Sequence, residues 1–135
     1  MDTNYISHMR RVVPYVQIND NEFSAVSDYT QISPTKARRV LRQIKGRKYE
    51  DALKLLKFMP YPSCKLIRKI LRSAASNAQN TRKVDEKNLF VKAAFVDQGS
   101  LLKRFCPRAR GSAYPILKST SHITVVLIEV RAEYT

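Results

Sequence analysis

The sequence is poor in most of the residues from which reactive sites are built. It has no tryptophan, only two histidines (His8 and His122), two cysteines and three glycines. Cys64 and Cys106 lie too far apart for a CxxC unit, and two cysteines make no disulfide framework, so reduced thiols are the default. Together with two scattered histidines they form no spaced metal-ligand set. Three dispersed glycines cannot form a glycine-rich phosphate cradle. No apolar run approaches the ~18 residues needed to span a bilayer. The N-terminus lacks the apolar core of a secretory signal, and Asp2, Asp20 and Glu22 are unlike an acid-poor transit peptide, so neither leader is expected. Asp85 and Glu86 fall in a polar link, and the Ser-Thr-Ser-His run at 119–122 is expected to serve turn and capping at the start of a strand. No enzyme, cofactor or metal centre is expected.

Acids are the other scarcity. Asp and Glu total 11 against 25 Lys and Arg, a net charge of +14 and a sequence pI near 10.1. The acids are also segregated, with none between Tyr29 and Tyr49, Ala52 and Val84, or Gln98 and Ile128. Those windows hold seven, eight and five basic residues, so twenty of the twenty-five cations have no acid near them in sequence. Self-repulsion on that scale weakens a compact state unless a polyanion offsets it, which points to nucleic acid before an anionic membrane. A membrane is disfavoured because the basic helix has no broad apolar face with bulky aromatics.

What remains is enough to fold. Hydrophobic residues make up 44% of the 135, ordinary for one globular domain. Residues 1–21 lack sustained periodicity and suggest an irregular N-terminal arm. From Glu22 to Ile32, β-branched and aromatic residues mix with polar ones, which suggests a half-exposed strand. In SPTKARRVLRQIKG, Ser33 suits an N-cap, Pro34 the first helical position and Gly46 a left-handed stop. Ala37, Val40, Leu41 and Ile44 form one apolar stripe. Lys36, Arg38, Arg39, Arg42 and Lys45 cover the rest of that helix, and Arg47 and Lys48 follow it. A second helix is expected from Tyr49 to Phe58, with Glu50 and Asp51 favoured in its first turn. A third should run from about Ser63 to Asn77. LFVKAAFVDQG then suggests a strand ending at Gly99, and HITVVLIEV, from His122 to Val130, a central or doubly covered strand.

Between those strands lies KRFCPRARGSAYPILKS, residues 103–119, with Lys103, Arg104, Arg108, Arg110 and Lys118 and no acid. A structureless loop of that length is either functional or wrongly assigned. If the strands continue into it, ten residues each way could project up to ~33 Å. Guanidinium groups bond phosphate oxygens bidentately, and interleaved aromatics suit unstacked bases in folded RNA.

Three segments bring this chain close to a known family. SPTKARRVLRQIKGRKYEDAL, SAASNA at the end of the third helix, and PRARGSAYPILKSTSHITVVL occur in the order found in ribosomal protein twenty-two of the large subunit. The resemblance runs from about Tyr29 to Val130, and FMPYPSC and AYPI are similar to the plastid branch. It implies an α+β fold, with three helices packed on a small antiparallel three-stranded sheet and a long protruding β-hairpin. The chain would then divide into an arm, 1–21, and one RNA-binding domain, 22–135, with the hairpin at about 88–131 and its tip at about 100–118. The implied partners are large-subunit ribosomal RNA, neighbouring large-subunit proteins and, in passing, the nascent polypeptide. The helix faces and the tip cations named above would meet RNA. Leu101, Leu102, Lys103, Arg104, Phe105, Arg108 and Gly111 would line the peptide exit tunnel. Ser112 stands where this branch usually has a basic residue. No homo-oligomer is expected, and the implied location is the ribosome of the chloroplast stroma, with a bacterial cytoplasm as the alternative. A free-standing basic RNA-binding regulator on the same fold is the other reading.

Overall fold

A computed structural model describes residues 21–130, and the element order is strand, three helices, two strands. Strand β1 spans Glu22–Thr30, helix α1 Pro34–Ile44, α2 Tyr49–Phe58 and α3 Ser63–Arg82. A short 3-10 turn, Glu86–Asn88, leads into β2, Leu89–Pro107. A second, Ala109–Gly111, separates β2 from β3, Ala113–Glu129. The sheet is antiparallel with order β1-β3-β2, so β3 is the central strand, as its nearly continuous apolar run suggests. This is the expected α+β arrangement. The arm expected over residues 1–21 lies outside the described residues except for Asn21.

The helices form where local signals place them. Pro34 opens α1 and is buried, and the predicted stripe of Ala37, Val40, Leu41 and Ile44 is the buried face. Ser33 occupies the N-cap position with extended backbone, yet its hydroxyl makes no capping bond. Gly46 adopts φ +79° just past the helix, and its N–H donates to Val91 O at 2.8 Å. Val91 N–H in turn donates to Arg47 O at 2.9 Å. The α1–α2 link is thereby stitched to the outer edge of β2. Helix α3 runs to Arg82, five residues beyond the sequence expectation. SAASNAQNTR lacks bulky apolar side chains, but Ala74, Ala75 and Ala78 are small enough to seat the helix closely on the sheet. Lys83, at φ +53°, ends it.

Helices α1 and α3 lie on one face of the sheet, α1 against β2 and α3 across β1 and β3, with α2 packed on α3. The core between the layers includes Phe23, Ala25, Val91, Val96, Ile123, Val125 and Leu127 from the strands. Opposite them are Ile44, Ile67 and Leu71, all without solvent exposure. Strand β2 does not keep a simple alternation. Val91 pairs with Leu127 but Ala93 with Val126, so Lys92 is an extra residue at a bulge. The bulge moves the inward set from Leu89 and Val91 to Ala94 and Val96. Lys92 itself is ion-paired with the buried Glu22 across the sheet.

The segment 103–119 is not an irregular loop. Both strands continue through it, from Leu101 paired with Ser119 to Pro107 paired with Ala113. Likewise β3 begins at Ala113 rather than His122, so Ser119–His122 are interior strand residues rather than a turn. The prolines fit because a two-stranded ribbon leaves alternate backbone N–H groups pointing outward, where their loss breaks no ladder bond. Seven pairs extend past the last β1 pairing, Thr30 with Ser121. At ~3.3 Å per residue this is an arm of about 23 Å.

Candidate nucleic-acid interface

The arm leaves the body at a second bulge, where Gly99 and Ser100 on β2 face the single residue Thr120 on β3. Thr120 is buried and its hydroxyl donates to Ser100 O at 2.6 Å. A Cβ on Gly99 would overlap that hydroxyl oxygen and sit 3.2 Å from both the Thr120 carbonyl carbon and His122 Nε2. Any side chain there forces Thr120 or the bulge to shift. His122 Nδ1 accepts from Tyr29 N–H at 3.3 Å and lies 3.1 Å from Asp28 Oδ1, while the Tyr29 ring meets the imidazole edge-on at 4.7 Å. Thr30 Oγ1 donates to Ser121 O at 2.7 Å. The end of β1 is thus clamped to the root of the arm.

Beyond that root the arm has two faces, because residues directly opposite on paired strands project to the same side. One face carries Leu101, Lys103 and Phe105 with Leu117 and Pro115. The other carries Leu102, Arg104 and Cys106 with Lys118, Ile116 and Tyr114. Each alternates cations with apolar or aromatic groups. Phe105 is 73% exposed and Tyr114 62%. Such side chains in a compact body would be buried, but here no third layer exists to cover them.

The turn at the end is compact. Arg108 N–H donates to Ser112 O at 2.7 Å, and Arg110 and Gly111 take left-handed φ of +57° and +72°. The Arg108 guanidinium lies 5.2 Å from the centre of the Tyr114 ring. Ser112 closes the turn, its hydroxyl donating to Ala109 O at 2.7 Å. Lys103, Arg104, Arg108, Arg110 and Lys118 are all exposed.

The helix cations divide into two groups. Lys36, Arg39, Arg42 and Lys45 stand exposed on α1. Arg38 instead reaches back to β2, its Nε and Nη2 donating to Val96 O at 3.3 and 2.9 Å. Arg47 bonds Gln43 O at 2.7 Å, and Lys48 lies 5.8 Å from the centre of the Phe90 ring. Those three help hold the body together while keeping their charge at its surface. Sequence reasoning missed the α2–α3 link, where Phe58 is 81% and Tyr61 42% exposed. The signal was available, since FMPYP holds aromatics that no helical stripe accounts for. It also left unassigned Lys65, Lys69 and Arg72, which are exposed along α3.

Among the described residues no cluster of His, Cys, Asp and Glu could hold a metal ion, and no helix is long and apolar enough to cross a membrane. Burial pushes the Cys64 thiol up from its ordinary pKa, which keeps it protonated and unreactive. These features define a class: a small, strongly basic α+β protein with an arm that extends beyond its own core.

The chain belongs to the Ribosomal protein L22p/L17e family, which it matches over residues 25–128. It is 52% identical over 112 residues to large ribosomal subunit protein uL22 of Synechococcus sp. (strain JA-3-3Ab), covering 83% of this chain and 91% of that protein. It is equally identical over 112 residues to large ribosomal subunit protein uL22c of Pyropia yezoensis, covering 83% and 96%. To the uL22c protein of Rhodomonas salina it is 48% identical over 113 residues, covering 84% and 96%. The chain is therefore a structural protein of the large ribosomal subunit and not an enzyme, and its partners are those of a ribosome.

Proposed function

We propose that the chain binds large-subunit ribosomal RNA over two surfaces and bridges RNA domains as the subunit assembles. The observation that carries this reading is the arm, seven residue pairs long beyond the three-stranded sheet, with cations on both faces and exposed aromatics between them. A ribbon of that kind has no core of its own, so its order depends on what surrounds it. Lys103, Arg104, Arg108, Arg110 and Lys118 bond phosphates along the arm, and Lys36, Arg39, Arg42 and Lys45 do so on α1. Arg38, Arg47 and Lys48 add charge to the body surface from side chains already tied to it. The tip, from Leu101 to Phe105 and on through Arg108 and Gly111, lines the path of the nascent polypeptide. The protein acts as a single copy within the particle. FMPYPSC and AYPI favour a plastid ribosome, although cyanobacterial relatives are as similar as plastid ones.

The test is incorporation. The chain should co-sediment with large subunits through a high-salt wash, and the double variant Arg108→Ala, Arg110→Ala should assemble into them less efficiently. Removal of the wild-type chain by salt would favour a free-standing regulator. Normal assembly of the double variant, with unchanged tunnel geometry in a density map, would refute the role of the tip.

A further inference from the structure

Where the arm leaves the body there is a cleft of about 580 Å³. It opens between the β1–α1 link, the first turns of α1, the start of α3 and the β3 side of the arm's root. Its walls include Ile32, Tyr61 and Leu117, and Lys36, Arg39 and Lys118 also line it. No acidic residue lines it, and none of these three cations has an ion-pair partner among the described residues. Tyr61 is 42% exposed, so its ring is available to a ligand. The volume lies within the roughly 300–1,000 Å³ of small-ligand sites. It is too small for a duplex but large enough for one flat ring system and its backbone.

We propose that this cleft holds a single unstacked nucleotide of the ribosomal RNA, its base against the Tyr61 ring and its flanking phosphates on Lys36, Arg39 and Lys118. This rests on the RNA-binding reading above and gives the root of the arm a ligand distinct from those of the tip. An apolar wall alone would suit a protein side chain, and three cations alone would suit any polyanion. A flat base carrying phosphates on either side satisfies both at once. The cleft also joins three segments far apart in sequence, so an occupant there couples the arm's direction to the body's position on the RNA.

Ultraviolet cross-linking of the full chain to deproteinised large-subunit RNA, followed by trypsin and mass spectrometry, tests this. A base stacked on Tyr61 should leave a nucleotide adduct on the peptide 58–65. The adduct should persist in Phe58→Leu and in Tyr61→Phe and vanish in Tyr61→Leu. Replacing Lys36, Arg39 and Lys118 together with Gln should reduce it about tenfold while adducts at Phe105 and Tyr114 persist. Arm adducts without one at 58–65 would overturn the cleft proposal and leave the RNA-binding reading standing. So would an adduct unchanged in Tyr61→Leu, or, in intact subunits, a cross-link from Tyr61 to a neighbouring protein. Absence of adducts from arm and cleft alike would overturn both.

Discussion

The body and the arm use the same strands for opposite ends. From Ile123 to Leu127, β3 is central, paired on both edges and covered by helices on one face, and all five side chains are buried. From Ala113 to Lys118 the same strand has one partner and no covering layer, and every residue is exposed. Regular backbone pairing alone therefore does not make a stable element. The body excludes water by itself, whereas the arm leaves its apolar groups, Phe105, Tyr114, Ile116 and Leu117, exposed.

The sharpest way to test this contrast is to truncate a leucine in each region. Leu71→Ala, in the core, should cost about 2–5 kcal/mol in urea unfolding of the free chain. Leu117→Ala, on the arm, should stay within about 0.5 kcal/mol. Comparable losses from both would mean that the arm is packed in the free protein and the contrast is false. The next largest effect belongs to the junction. Gly99→Ala should cost about 1–3 kcal/mol, since its Cβ overlaps the buried Thr120 hydroxyl and forces the bulge to shift. It should also shift the amide resonances of Ser100 and Thr120 in an NMR spectrum, and unchanged resonances would place the strain elsewhere.

A smaller effect separates the structural arginine from its neighbours. Arg38→Met removes two donors from the Val96 carbonyl and should cost about 1 kcal/mol. Arg42→Met, exposed and without such a bond, should leave the urea midpoint nearly unchanged. The reverse order would mean that the Val96 bond contributes nothing. The smallest perturbation is a thiol titration of the native protein near pH 8. Cys106 on the partly exposed arm should react quickly, and Cys64, buried and with its pKa raised, only slowly. Equal rates would place Cys64 at a surface.

Much of the body was legible beforehand, for reasons that differ by element. The helix signals at Pro34, Gly46, Glu50 and Asp51 act within a few residues, so α1 and α2 were readable from local chemistry. The stripe of Ala37, Val40, Leu41 and Ile44 is a period any window reveals. The arm was harder because its residues obey no burial rule, with prolines and cations breaking the pattern that burial imposes elsewhere. Loop length and charge, rather than strand periodicity, pointed to an arm there, and the family resemblance implied that it is a hairpin. Arg38 looked like any other cation of its helix, since nothing in its neighbourhood announces a carbonyl 58 positions away.

Charge balance, helix positions, the lack of metal-ligand spacing and the identity of the central strand all follow from the order of residues, because each depends on composition or on neighbours within a turn or two. The bulges at Lys92 and at Gly99–Ser100, the tie from Arg38 to Val96 and the cleft that Tyr61 and Lys118 both line do not. They arise from pairings between distant segments, where a shift of one residue would reverse every inward and outward face. Such choices are settled by packing the whole sheet against its helices, which a local window does not contain.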